Sequence, residues 1–331
     1  MDGALANIKV QKIVLATGII LFGIKITAWY LTDSVAIYTD ALESIVNVFS
    51  GAFGLYSLYL ASVPRDENHP YGHGKVEFIS AAVEGTLIGV AGLLIIIEAI
   101  DSLFHQSKIS NIDIGIWLII FSAIVNFLVG WRTRNQGRKT NSLALIASGN
   151  HLMTDTFSTF GVVLGLTIVK LTGLLWVDAV TAIVFAFVIL RTAYKILRAS
   201  VAGIMDEADT EVLKKLVKLF NSHRKAPWID MHNLRVIRYG KVLHLDFHIT
   251  LPWYLNVEEA HDQVDEIDAL VKAEYGDKVE MFVHTDPCRE FSCPLCPVSN
   301  CKVRKHAFNE LVEWNVKNVS TNERHGFKSE K

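Results

Sequence analysis

The sequence predicts a membrane all-α six-helix transmembrane bundle followed by a small cytoplasmic α+β domain, and three observations carry that prediction. Apolar runs recur near residues 11–31, 36–61, 78–100, 112–131, 143–169 and 175–197, each long enough to cross a hydrocarbon core of about 30 Å. No comparable run follows Asp206. All seven prolines, at 64, 70, 227, 252, 287, 294 and 297, fall outside the runs, as uninterrupted helices require. The 331 residues are 51% hydrophobic with a mean hydropathy of +0.31, the average expected of a membrane part joined to a soluble part.

Short-loop charge orients the bundle. Lys9 and Lys12 precede the first run, Arg65 and Lys75 separate the second from the third, and Arg132, Arg134, Arg138 and Lys139 separate the fourth from the fifth. Lys195 and Arg198 close the sixth, whereas the opposite side carries little beyond Lys108 and Lys170. The positive-inside rule then places both termini in the cytoplasm. The first run is too long for a signal peptide and leads straight into a second span. A net charge of −2 gives no support to nucleic acid as a partner.

Polar residues inside the runs point to a site. His151 and Asp155 are four residues apart in the fifth run, so a helix sets them one turn apart on one face. Asp40, Glu43 and Asn47 form a matching stripe on the second. Ionisable groups at bilayer depth cost a few kcal/mol or more and persist where they face a partner, a water-filled cavity or an ion. Two polar faces can also serve as hydrogen-bonding glue between helices. Carboxylates with an imidazole, and no Arg or Lys on either stripe, fit a cation better.

Further candidate ligands lie outside the runs. The turn "DENHPYGHGK" packs Asp66, His69 and His73 among glycines that let near neighbours wrap one ion. Beyond residue 206 the pattern reads helix, strand, strand, helix, strand: a helix after Asp209, strands over 234–238 and 242–249, a helix over 257–275 and a strand over 279–283. His232, His248, His261, His284 and Asp286 fall on or beside these elements. Cys288, Cys293, Cys296 and Cys301, the only cysteines, crowd one segment. A cytoplasmic location disfavours disulfides, so thiolate ligation of a soft or borderline ion such as Zn²⁺ is their natural use, a transient redox or metal-scavenging role being the competitor.

Together, "SVAIYTDALESIVN", "DENHPYGHGKVE", His151-Leu-Met-Thr-Asp155 and the tail segment "VHTDPC" resemble the cation diffusion facilitator family of metal/proton antiporters, from about residue 8 to Cys288. The resemblance implies a transport domain over 8–200, a ferredoxin-like metal-binding dimerisation domain over 206–287, and a Cys-rich segment and tail over 288–331. It implies a transport site of Glu43, Asn47, His151 and Asp155, with Asp40 one turn before it. It further implies a loop site of Asp66, His69 and His73, and a cytoplasmic site of His232, His248, His261, His284 and Asp286. The implied function is efflux of a divalent metal ion, Zn²⁺ foremost with Fe²⁺, Mn²⁺, Co²⁺ or Cd²⁺ as alternatives, in exchange for protons. The implied setting is a homodimer in the lipid bilayer of the inner cell membrane. Asn47 departs from the family's usual acidic residue and offers a neutral oxygen. Two rival readings are a membrane-anchored metal sensor and an intramembrane metallohydrolase; the second lacks a His-Glu-x-x-His helix, and the first needs no polar groups at bilayer depth.

Overall fold

The computed structural model describes residues 2–32, 35–104, 112–172, 176–239, 242–276 and 279–326, with some helical side chains, those of Asp40 and Glu43 among them, outside the described residues. The chain forms two compact units, Met1–Met205 and Asp206–Lys331.

The first unit consists of six long helices: α1 (Asp2–Thr32), α2 (Val35–Ala61), α3 (Val76–Phe104), α4 (Ile112–Thr140), α5 (Leu143–Thr172) and α6 (Trp176–Ile204). Each matches one of the apolar runs. Described residues over Leu5–Leu31, Val76–Asp101 and Ile116–Thr140 are long and apolar enough by themselves to cross a membrane. The distribution of residues is inverted relative to a water-soluble protein. Ile20, Leu94, Ile97, Trp117, Phe121 and Phe187 are exposed, whereas Gln11, Asn47, Glu84, Ser148, His151 and Asp155 are buried. Apolar side chains on the outside and polar ones within are what a hydrocarbon solvent selects.

Glycine sets the approach of α4 and α5. A Cβ at Gly149 would stand 2.5 Å from the backbone nitrogen of Arg134 and 2.7 Å from its Cα, and one at Gly137 would stand 2.8 Å from the Ile146 nitrogen. Only a residue without a side chain permits backbones this close. The seam runs directly into the turn that carries His151.

The second unit has the order α7 (Thr210–Ser222), β1 (Asp230–Tyr239), β2 (Val242–Leu251), α8 (Val257–Tyr275) and β3 (Val279–Pro287). Asp209 caps α7 by accepting from the Val212 N–H at 3.2 Å. Asn256 and Glu259 form a reciprocal capping box on α8. The sheet order is β1-β2-β3, antiparallel then parallel, with α8 as the crossover that a parallel pair needs. Leu243, Leu245, Phe247, Ile249 and Leu251 of β2 enter a core with Leu216 and Phe220 of α7 and Ile267 and Val271 of α8. The intervening residues, His248 and Thr250 among them, therefore take the other face.

Residues 289–326 fold back on this unit instead of standing apart. A 3-10 turn, Glu290–Leu295, and a short helix, α9 (Val316–Val319), belong to this stretch. Trp314 and Val319 are buried in the same core. Arg224 stacks 3.8 Å over the Trp314 ring. A sequence segment rich in polar residues gave no periodic signal for this return.

Candidate metal centres

The first centre lies within the helical unit. His151 and Asp155 are 3% and 2% exposed, with His151 Nδ1 3.6 Å from Asp155 Oδ1, too far for a strong hydrogen bond. From α2, the amide of Asn47 donates to Asp155 Oδ2. Neither ring nitrogen of His151, nor the Asn47 side-chain oxygen, has a hydrogen-bond partner among the described residues. Buried polar atoms are usually satisfied, so the one acceptor nitrogen of a neutral His151 ring and the Asn47 oxygen, both open beside Asp155, fit a bound cation. The side chains of Asp40 and Glu43, the remaining members of this predicted set, lie outside the described residues. A polar network absent from the sequence reading adjoins the pair: Gln11 donates to Ser148 at 3.3 Å and to the Gly51 carbonyl at 3.2 Å, and Ser148 donates to Glu84 at 3.3 Å. Ser148 is less than one turn before His151, which explains the connection; its signal in sequence is no more than a serine among apolar residues.

The second centre is the turn after α2. Asp66 Oδ1 lies 3.1 Å from His69 Nδ1, and Oδ2 lies 3.3 Å from His73 Nε2. One ligand atom from each of the three comes within 4.8 Å of the others. The turn holds its shape because Asp66 Oδ1 also accepts the backbone N–H groups of Asn68 and His69, at 3.0 and 2.7 Å, while Gly72 takes φ +88°. Desolvation pushes the Asp66 carboxyl up, but the His69 hydrogen bonds and the His69 and His73 charges outweigh it and leave the pKa lowered.

The third centre is on the open face of the sheet. His232, His248 and His284 are register partners across the three strands, and Asp230, Thr250 and Asp286 form the next row on the same face. Asp286 Oδ2 stands 3.3 Å from both His232 Nε2 and His248 Nδ1, and these three converge within 4.8 Å. His284 Nε2 is 3.5 Å from Asp286 Oδ1 but its side chain is 65% exposed. His261 differs from the expectation: on α8 it is 72% exposed and pairs with Asp265 at 3.8 Å, so it is not part of the convergent set. The capped helix directs its imidazole toward its own next turn. It does share with Asp286 the lining of a cleft of about 540 Å³.

A β-bulge makes this centre. The register shifts between His232 and Arg235, and Asn233 adopts φ +55°. An inserted residue reverses which side chains face the core. Leu234 and Val236 are therefore in the core along with Met231, while His232 turns to the face of His248. Without the bulge, the alternation of β1 would put His232 and Leu234 on one side.

Three residues missed by sequence reasoning complete this face. Asp230 lies 3.4 Å from His232 Nδ1. From the returning tail, His325 bonds Asp230 through its backbone N–H at 3.0 Å and through its ring, and Arg324 pairs with Asp286. Burial would raise the Asp230 pKa, but the hydrogen bonds from His232 and His325 and the charge of His325 hold it at about 2. Its stabilising contribution is present above the unfolded value of 3.8 and lost as the pH falls through about 2. The four cysteines line a separate cleft beside Trp253.

Comparison with known proteins accords with this arrangement. The model of the cation efflux transmembrane domain matches residues 12–205, and that of the cation efflux protein cytoplasmic domain matches residues 208–288. An uncharacterized transporter of Synechocystis sp., sll1263, is 32% identical over 270 residues, covering 81% of this chain and 86% of its own. The cation-efflux pump FieF of Shewanella oneidensis is 26% identical over 82% of this chain and 91% of its own. The manganese efflux system protein MneS of Bacillus subtilis is 26% identical over 87% and 96%. Six long helices with a buried His-Asp-Asn set, a small mixed-sheet domain after them, and both matching domain models leave one assignment: the chain is a multi-pass membrane protein of the cation diffusion facilitator family, whose members are metal cation transporters and not enzymes.

Proposed function

We propose that the protein exports a divalent transition metal, with Zn²⁺ as the leading cargo, from the cytoplasm in exchange for protons, as a homodimer in the inner cell membrane with both termini cytoplasmic. The observation that carries this reading is the buried set of His151, Asp155 and Asn47, in which Asp155 lies beside both an imidazole and an amide inside the helical unit. A divalent ion needs a neutral imidazole and ionised carboxylates, and protons compete for those same atoms. Binding is thus exchange: a proton loaded on His151 or Asp155 expels the metal, and a metal expels the proton. Access from alternate sides of the membrane turns this exchange into antiport.

The ligand set is one imidazole with oxygen donors, compatible with Zn²⁺, Fe²⁺, Mn²⁺, Co²⁺ and Cd²⁺. One relative is named for manganese efflux and another as a cation-efflux pump. Asn47 is the residue through which this chain tunes the choice. Asn47→Asp replaces a neutral oxygen by an anionic one and should tighten Zn²⁺ binding by about tenfold. It should also slow release. A panel of divalent ions taken up by vesicles, before and after this change, checks it; an unchanged order of ions and unchanged affinity would remove Asn47 from the ligand set.

In the cytoplasmic unit, His232, His248 and Asp286 would bind a regulatory ion and strengthen association of two subunits. Arg324 on Asp286 is then a cation that a metal must work against. Zn²⁺ should raise the melting midpoint of the 206–331 unit by several degrees, as expected when ligand is far above its dissociation constant. His232→Ala should remove part of that rise. Arg324→Ala should tighten Zn²⁺ binding about tenfold by relieving like-charge repulsion; weaker binding would show that Arg324 orients Asp286 for the metal instead.

A further inference from the structure

The four cysteines have no part in the transport reading, yet the fold gathers them. Cys288 follows β3 and its N–H is held by the Leu251 carbonyl at 2.8 Å. Cys293 sits in the 3-10 turn, Cys296 ends it, and Cys301 lies in the next turn. All four are free thiols and line one cleft of about 710 Å³.

The surroundings of the sulfurs are those of thiolate ligands. The Lys305 backbone N–H points to Cys293 Sγ at 3.5 Å. The backbone of Val298 and of Trp253 favours the charged form of Cys296 and of Cys288, against the upward push of burial. A neutral thiol is a weak acceptor, whereas a thiolate gains from an amide donor. Cationic Arg289, Lys302, Arg304 and Lys305 border the same cleft. Arg304 also clamps the turn by donating to the carbonyls of Cys293 and Cys296, each at 2.9 Å, and of Val298 at 2.6 Å. Burial and the charges of the other cysteines push the Cys288 and Cys296 thiols up, so four thiolates in one cleft require a counter-charge.

We propose that Cys288, Cys293, Cys296 and Cys301 bind one zinc-class ion as a tetrathiolate, a structural site distinct from the transported cargo. Its role is to clamp residues 288–326 onto the cytoplasmic unit. Each thiol gives up its proton to solvent as its sulfur bonds the ion. Among the described residues, the sets that bring three ligand atoms within 4.8 Å of one another are the loop and histidine sets. The sulfurs therefore have to draw inward to reach metal–sulfur bonds of about 2.3 Å. The clamp has a consequence at a distance in sequence, because the segment it fastens ends in Arg324 and His325 on Asp286 and Asp230. This inference is independent of which ion is transported.

The test uses reduced full-length protein, stripped with chelator and reloaded with Co²⁺ alone. Thiolate ligation should produce strong sulfur-to-cobalt charge-transfer absorption with tetrahedral d–d bands, saturating at about one equivalent and displaced by Zn²⁺. These bands should persist in His232→Ala and Asp155→Ala and disappear in the Cys293→Ser/Cys296→Ser double variant. Absence of the bands from the reduced wild-type protein, a measurement that needs no variant to fold, overturns the site. So does their survival unchanged in the double variant. Hydrogen exchange then reads the clamp: residues 288–326 should be protected with Zn²⁺ and lose that protection on chelation, and equal protection in both states overturns the clamping role.

Discussion

His151→Ala or Asp155→Ala should abolish metal flux while leaving a folded, membrane-inserted protein. On the proposed reading, each removes a buried ligand from an ion that must shed much of its water to enter the bundle. Outer-shell substitutions at metal sites already cost about 10- to 100-fold, so loss of a direct ligand should lower flux by more than about a hundredfold. Flux per reconstituted molecule, with melting temperature as the control, checks the expectation. Flux at wild-type levels in both variants would make the pair structural glue and would sink the transport mechanism.

Gly149→Val should disable the protein almost as thoroughly without touching an ion. The added side chain has no room: the position of its Cβ is 2.5 Å from one backbone atom of α4 and 2.7 Å from another, and backbone cannot rotate away as a flexible side chain can. The two helices must separate, and His151 lies half a turn farther along α5. Overpacking of this kind costs about 1–3 kcal/mol or more. Both metal affinity at the buried site and thermal stability should fall, whereas Ser148→Ala, one residue away but facing the Gln11–Glu84 network, should spare stability far more. Retention of full flux by Gly149→Val would show that the α4–α5 seam does not position the site.

These three positions also mark how much was legible in the sequence. His151 and Asp155 stand out because charge in an apolar run is rare and their spacing is one helical turn. The loop of Asp66, His69 and His73 was legible for a similar reason, since its ligands are neighbours in sequence and the turn geometry is local. Gly149 was silent, because a glycine in a helix signals nothing until the opposing backbone is placed against it. The histidine centre on the sheet was legible only as a set of residue types. Its assembly depends on a bulge at Asn233 that reverses the face of β1, and alternation alone assigns His232 to the wrong side. His261 is a candidate by residue type as well as by resemblance, and the helix keeps it near Asp265. Arg324, His325 and Trp314 come from a segment with no periodicity, whose position follows from burying Trp314 and Val319 in a core built by other elements. Long-range pairing of this sort is set by the folded surface and leaves little trace in local pattern.

The central claim is coupled exchange of metal for protons at the buried site, and simultaneous measurement of both ions in one vesicle preparation tests it most directly. With vesicles containing the protein made acidic inside, Zn²⁺ should accumulate in the lumen against its own gradient while protons leave and the lumenal pH rises, and an ionophore that collapses the proton gradient beforehand should stop the accumulation. Asp155→Ala should show neither movement. Zn²⁺ uptake that proceeds at the same rate with the gradient collapsed, with no accompanying change in lumenal pH, would contradict the account.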